Sequence, residues 1–525
     1  MNSQKVSILD TTLRDGEQRE GISFTVKDKL RITDLLDQLG LDYIEGGWPG
    51  SNPKALAYFK AVKDLKLQKA KIAAFSSTRR AQNKPENDET LKALLEAETP
   101  TVVIFGKAWD FHVKSALKIS LDENLELIYD SLAYLKKHDK EVIFDLEHFF
   151  DGYKNNPKYA IEVIKAGQKA GTDLFCFCDT NGGTLPHEMI QIVKEVKKEF
   201  PKLKLGIHAH NDNGLAVANS LACVLEGFQH VQGTLNGYGE RAGNMNLSTL
   251  IPILVLKLGI NCITKEQLNN LTGTCFHLDE IANVNHNAYA PYVGRSAFTH
   301  KAGVHVNAVL KNPGTYEHIE PEKVGNQRRV VVSELSGVSN LLFKAKEFGI
   351  NIDDSHKEKL KELTQKIKEL EHIGYQYEEA DVSLLILMLK TLTDFKPKVN
   401  LEFFRVISER NNAKDLNIEA TLKVKINANE ILIAAEGNGP VSALDKALHK
   451  ALKPVYPQIQ DIKLTDYKVR VLDSKAGTDA QVRVHIEWED QNEEWGTVGV
   501  SQNIIDASWA ALVDSYEYKL LKSLK

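Results

Sequence analysis

Along the first half of the chain, short runs of β-branched and aromatic residues alternate with longer segments in which apolar residues recur every three or four positions. The runs are VSILDTTL (6–13), YIEGGW (43–48), KIAAF (71–75), TVVIFG (101–106), EVIFDLEHF (141–149), LFCFCDT (174–180), KLGIHAH (204–210) and HVQGTLNGYG (230–239). The segments between them read as amphipathic helices. Examples are VKDKLRITDLLDQLG and PKYAIEVIKAGQKAG, the second closed by Gly171, a helix stop. Eight strands alternating with helices over roughly 265 residues is the rhythm of an α/β protein built as a (β/α)8 TIM barrel. An open doubly wound sheet alternates too, but carries a glycine-rich turn after its first strand, where this chain has TTLRDGEQ.

Past residue 275 the pattern changes. A stretch rich in His, Asn, Tyr and Gly, with little periodicity, reads as loop-dominated; the helices NLLFKAKEFG, HKEKLKELTQKIKELEHIG and EADVSLLILMLKTL follow. The charge-laced middle helix reads as a solvated face. From about 395 strands return: IEATLKVKIN and EILIAAEG lead into the helix VSALDKALHKAL. DYKVRVLDSKAGTDAQVRVHIEWED and WGTVGVSQ then lead into IIDASWAALVDSY, so a strand–strand–helix unit occurs twice. The expected organisation is a barrel over 1–275, linker subdomains over 276–394, and a duplicated α+β (ββα) module over 395–525. That module holds no cluster of catalytic residue types and is assigned to regulation or dimerisation.

Composition narrows the class. With 525 residues, 42% hydrophobic and 26% charged, the chain is an ordinary globular protein of two or three domains. A net charge of −5 argues against a nucleic-acid or anionic-membrane partner. Five irregularly spaced cysteines form no disulfide framework. The opening MNSQKVSILD shows no leader, and no window reaches the ~18 apolar residues of a membrane span. A cytoplasmic protein is expected.

Barrel enzymes collect their functional side chains where strands end and βα loops begin. The polar residues here fall at those places: Arg14 and Asp15 after strand one, Glu147 and His148 after strand five, Asp179, Thr180 and Asn181 after strand six, His208 and His210 on strand seven, Glu240 and Asn244 after strand eight. His208 and His210 share a strand face. Two imidazoles, the Asp15 carboxylate and the Asn244 amide suit Mg²⁺, Mn²⁺ or Zn²⁺. Taken alone, the His pair is more simply a hydrogen-bonded core pair; Asp15 and Asn244 at the same rim reverse that weighting. Arg14 offers a fixed cation to a carbonyl oxygen as negative charge develops on it. Cys176 and Cys178, embedded in LFCFCD, read as apolar filling rather than a thiolate pair. NGYGERAGN lacks the Lys-Ser/Thr of a P-loop and shows only a tight turn. In FTHKAGVHVNAV, His300 and His305 are acid–base candidates with a structural role as the even alternative.

LDTTLRDGEQREGISFT, HAHNDNGLAVANS, GERAGN and THKAGVHVNAV, followed by GPVSALDKAL, DYKVRVL and NIIDASWAALVDS, occur in this order over nearly the whole chain. Together they resemble the metal-dependent acyl-CoA condensing enzymes that include 2-isopropylmalate, homocitrate and citramalate synthases. DYIEGGWPGSNPK and DLEHFFDGYKNNP point within that family to the branch using pyruvate. The resemblance implies Claisen-type condensation of acetyl-CoA with pyruvate and thioester hydrolysis to (R)-citramalate and CoA, a step toward isoleucine. It implies that Asp15, His208, His210 and Asn244 hold a divalent ion that chelates the 2-oxoacid, and that Arg14 stabilises the oxygen under attack. It gives Thr180 the substrate carboxylate and Glu147 a place in the acid–base network. His305, with Tyr316, would enolise acetyl-CoA from the other subunit of a homodimer. Asp145 departs from some relatives and is read as facing away; Phe75 and Phe105 are expected to fill the room a branched oxoacid needs. The C-terminal module resembles one that binds a branched-chain amino acid, with isoleucine the expected effector.

Three other readings compete: a 2-isopropylmalate synthase acting on 2-oxoisovalerate, a metal-dependent barrel hydrolase, and a non-catalytic amino-acid sensor. The hydrolases that share an HxH pair place it on the first strand, whereas here it is on the seventh. The sensor reading conflicts with a complete set of competent residues.

Overall fold

The computed structural model describes residues 5–410, 416–427, 429–473, 477 and 479–522. Residues 1–4 of the stretch read as lacking a leader, and 474–476 and 478 of the run 466–490, lie outside the described residues. The chain divides into two compact units: residues up to Phe298 with Ile319–Gln327, and Thr299–His318 with Arg328 onward.

In the first unit eight parallel strands close on themselves in chain order. They are β1 (Ser7–Asp10), β2 (Tyr43–Gly47), β3 (Lys71–Ser77), β4 (Thr101–Lys107), β5 (Glu141–Glu147), β6 (Leu174–Asp179), β7 (Leu205–Ala209) and β8 (His230–Gly233). β8 pairs back onto β1 from Ser7↔His230 to Asp10↔Gly233. Helices between them pack apolar stripes on the outside, and their ends are capped as the sequence implies. Thr25 and Asp28 exchange hydrogen bonds in a capping box before the helix Val26–Gln38. Asn156 caps the helix Pro157–Lys169, and Gly171 beyond it has φ +82°. Leu9, Ala73, Phe75, Val103, Ile143 and Cys176 form an inner cluster.

Several expected strands run on too far. The segments 11–13, 148–149 and 234–239 are turns and short helices, because the backbone leaves the ladder to make the rim loops. Thr12 turns back to donate from its N–H to Asp10 Oδ1 at 2.8 Å, and His148 takes a left-handed conformation at φ 57°.

The second unit corrects two expectations. The loop-dominated stretch contains a helix, Gly303–Lys311, whose Val306 and Val309 are buried, and a short parallel pair, β9 (Thr299–His300) with β10 (Arg329–Val330). With only two buried apolar positions that helix had no periodic signal to read. Each C-terminal repeat also carries one strand more than expected. β11 (Val399–Arg410), β12 (Leu416–Ile426) and β13 (Asn429–Glu436) precede the helix Pro440–Leu452. β14 (Lys463–Val471), β15 (Val482–Glu489) and β16 (Glu494–Ser501) precede the helix Ile504–Lys522. β11 escaped notice because most of its residues are exposed, which erases the apolar alternation. The expected single run 466–490 is divided between β14 and β15. The helix Lys357–His372 presents charges outward, as expected, while burying Leu360, Leu363 and Ile367. Among the described residues no helix is long and apolar enough to cross a membrane.

Candidate active site

Barrel closure brings Asp15, His208 and His210 together, with one ligand atom from each lying within 4.8 Å of the others. His208 Nε2 is 3.1 Å and His210 Nε2 3.9 Å from Asp15 Oδ2, and the two imidazole nitrogens face one another at 3.3 Å. His208 ends on the inner face of β7. His210, one residue past the strand, is kept beside it by a bridge to Asn244. All four residues are buried.

Asn244 reaches the group through the NGYGERAGN turn. Gly239, at φ +153°, leaves space where a Cβ would stand 2.0 Å from Asn244 Oδ1, and Gly243, at φ +91°, passes under the Gly237 carbonyl. Arg241 clamps the loop by donating to both carboxylate oxygens of Asp212 (2.8 and 3.0 Å) and to the Thr180 carbonyl (2.8 Å). One side chain thus ties the loops after β6, β7 and β8 together.

The electrostatics suit a cation. Burial opposes charge on Asp15, yet the Arg14 guanidinium and the bond from His208 hold its carboxyl far below the usual range. Burial also opposes protonation of His208, but Asp15 outweighs it and holds the imidazole above its ordinary value. Burial and then the neighbouring His208 push His210 down to about 4. A divalent ion at the point the three ligand atoms face would supply the positive charge that a proton on His208 otherwise supplies. The amide gives a second indication. Asn244 Nδ2 lies 2.7 Å from Asp15 and 3.4 Å from His208 Nε2, while its Oδ1 is buried without a partner; turning the amide would offer that oxygen to the ion. One carboxylate, two imidazoles and an amide oxygen fit Mg²⁺, Mn²⁺ or Zn²⁺.

Arg14 stands over this group. Its NH1 is 3.4 Å from Asp15, its Nε donates to Glu45 Oε2 at 2.6 Å, and its guanidinium carbon is 3.7 Å from the Phe75 ring centroid. Asp15 and Glu45 keep it protonated despite its burial. Phe75 stacks on Phe105 at 5.3 Å, and Trp48 meets both rings edge-on at 5.8 Å, so an aromatic wall adjoins the cation.

The other expected residues are placed differently. Glu147 pairs with Lys107, its register partner on β4. The Thr180 hydroxyl accepts the His148 N–H at 2.9 Å and retains its own proton for donation. His305 and Tyr316 are exposed in the second unit, their ring centres 4.2 Å apart and the planes tilted by 31°. His300 is held by Glu317 at 3.1 Å, and Arg328 grips the same carboxylate with two bonds of 2.6 Å, a structural arrangement. Cys176 and Cys178, with Asp145, also lie within ligand distance of one another, but burial raises both thiols, Cys178 to about 11. They stay neutral fillers, as expected.

Asp145 is a correction. It does not face away: it is buried in the barrel interior and accepts from Gln232 Nε2 at 2.8 Å. Glu45 and Gln232 were missed altogether. The signal was present, since a charged or amide residue inside YIEGGW or HVQG has no place in an apolar barrel layer unless another polar group meets it.

A closed parallel barrel with a polar, cation-ready rim at its C-terminal end defines the class of (β/α)8 enzymes. The HMGL-like profile matches residues 5–272, the homocitrate synthase post-HMGL domain-like profile 292–392, and the LeuA allosteric (dimerisation) domain 378–520. The chain is 54% identical to an (R)-citramalate synthase of Geobacter sulfurreducens, over 99% of this chain and 98% of that one. It is 52% identical to an (R)-citramalate synthase of Aquifex aeolicus, again over 99% and 98%. Identity falls to 32% with a 2-isopropylmalate synthase of Methanocaldococcus jannaschii, over 99% of this chain and 96% of that protein. The chain belongs to the HMGL-like family, among its (R)-citramalate synthases.

Proposed function

We infer that this chain condenses acetyl-CoA with pyruvate and hydrolyses the thioester, giving (R)-citramalate and CoA. The observation that carries this is identity above 50% with (R)-citramalate synthases over essentially the whole length, against 32% for a 2-isopropylmalate synthase. The substrates are then pyruvate and acetyl-CoA. The match to an allosteric (dimerisation) domain supports a homodimer and a regulatory role for that domain, and isoleucine is assigned as its effector.

Asp15, His208, His210 and Asn244 are the residues that would hold the divalent ion. Bound there, the ion would act as a Lewis acid that grips the carboxylate and keto oxygens of the 2-oxoacid. Arg14, fixed by Glu45, aims a permanent charge at the keto oxygen, where negative charge grows as the carbon is attacked. Thr180 has a hydroxyl proton to give the pyruvate carboxylate. The Trp48–Phe75–Phe105 wall limits the room beside the methyl group. Glu147 is assigned to the acid–base network, with Lys107 holding its carboxylate. His305, beside Tyr316 and contributed by the other subunit of the homodimer, is assigned the removal of the acetyl methyl proton.

Thiol release from acetyl-CoA, measured side by side with pyruvate and with 2-oxoisovalerate, tests the reading. Pyruvate is expected to be preferred by at least about 100-fold in kcat/KM. A preference for the branched acid would overturn it. An isoleucine titration that changed neither activity nor heat of binding would remove the effector assignment.

A further inference from the structure

We propose that Gln232 and Asp145 are positioning residues that fix the proton of His208 on Nδ1 and so aim its Nε2 lone pair at the cation. This rests on the reading of Asp15, His208, His210 and Asn244 as a metal site.

His208 on β7 and Gln232 on β8 are register partners in adjacent parallel strands, so their side chains share the barrel interior. His208 Nδ1 lies 2.9 Å from Gln232 Oε1, and Gln232 Nε2 donates to Asp145 Oδ1 at 2.8 Å from β5, on the other side of the barrel lumen. An ionised carboxylate only accepts. Asp145 therefore obliges the Gln232 amide to turn its NH₂ toward β5 and its carbonyl toward β7. A carbonyl oxygen can only accept, so the imidazole must donate through Nδ1. Its other nitrogen, facing Asp15 and His210, is then the one free to bind a metal.

All three groups are buried: Gln232 at 0%, Asp145 at 3% and His208 at 5% exposure. Water cannot substitute for a missing partner, and a reversed amide would confront Asp145 with an oxygen and His208 with a donor. The chain of bonds has one consistent order. A histidine ligand that donates its second N–H to a fixed acceptor is the common way proteins orient such ligands, and losing the acceptor typically costs 10–100-fold in metal affinity. Here the acceptor is an amide, which has two faces, and Asp145 is the group that chooses between them. It also gives a role to an acidic residue set beside the apolar cluster that holds Ile143 and Cys176.

The test compares Gln232→Met and Asp145→Leu, apolar replacements of similar size, with Asp145→Asn, whose carbonyl can still accept from Gln232. Mn²⁺ affinity is measured by electron paramagnetic resonance of free Mn²⁺ in the full-length protein, with circular dichroism to confirm folding. Gln232→Met and Asp145→Leu are expected to bind Mn²⁺ 10–100-fold more weakly, and Asp145→Asn within about threefold of the parent. Unchanged affinity in Gln232→Met, or a loss in Asp145→Asn equal to that in Asp145→Leu, overturns the proposal. Should the apolar variants not fold, ¹⁵N-histidine NMR of the Zn²⁺-loaded parent decides, the His208 signals being assigned by their loss in His208→Asn. A proton on Nδ1 supports the proposal, and a proton on Nε2 overturns it. A parent protein that binds no divalent ion would instead sink the metal-site reading. The neutral imidazole, observed by the same NMR at pH 8.5, must even then carry its proton on Nδ1.

Discussion

Arg14 donates from Nε to Glu45 Oε2 at 2.6 Å, so the cation of the first rim loop is held from the neighbouring strand β2. Glu45 has no exposed surface, and a register shift between Glu45 and Gly47 marks the bulge that ends β2 beside it. Burial raises the Glu45 carboxyl to about 7, Arg14 only partly offsetting it. Asp15, by contrast, is held far below the carboxylate range by the same arginine. The guanidinium thus serves two carboxylates at once and sits over the Phe75 ring. A lysine, a point charge with no plane to stack, cannot meet all three.

Arg14→Lys is accordingly expected to lower kcat by about 100-fold, the scale of a lost oxyanion donor, with a smaller change in the KM for pyruvate. Steady-state thiol release checks this. A proportional rise in KM at unchanged kcat would mean that Arg14 only binds the ground state.

Phe105→Leu removes one face of the stacked pair while leaving Phe75 under Arg14. The kcat/KM for 2-oxobutanoate relative to pyruvate should rise about 10-fold, the worth of roughly one methylene of space. Competition between the two oxoacids in one reaction, with products separated by chromatography, measures the ratio directly.

Gly239→Ala sets a Cβ against the Asn244 amide and strains a backbone held at φ +153°. The expected cost is about 1–3 kcal/mol of stability, with weaker Mn²⁺ binding. Gly21→Ala is the control. It is also at positive φ (+86°), but a Cβ there meets nothing within 4 Å, so it should lose stability and keep its Mn²⁺ affinity.

His230 is fully buried at the N-terminal end of β8, its Nδ1 2.9 Å from the Ser7 hydroxyl, and burial pushes its pKa down to about 3. The unfolded chain takes up a proton near 6.5, whereas the folded protein refuses it until about 3. The stability this group contributes is therefore fully present above pH 6.5 and is lost as the pH falls toward 3. The slope is about 1.4 kcal/mol per pH unit. His230→Phe should flatten the acid limb by about that amount, read from denaturant melts between pH 6.5 and 5.

The barrel was legible because its signal is local. Strand runs, helix stripes and stops such as Gly171 each lie within a few residues, and eight of them in alternation admit few architectures. Asp15, His208, His210 and Asn244 were legible for a related reason. Strand ends in a barrel converge on one rim, so a loop residue's place in the β/α rhythm fixes its region of space. Gly303–Lys311 and β11 were not, since neither buries enough apolar surface to leave a period in the sequence.

Sequence by itself determined the order of elements, the polar residues gathered at the strand ends, and the chemistry those residue types can perform. Only the tertiary structure decided which interior polar groups meet. Asp145 and Gln232 are 87 positions apart, and Glu45 lies 31 from Arg14. Whether such side chains touch depends on how closure and register aim them across the lumen. Barrel closure is a property of eight strands together, and no short segment encodes it.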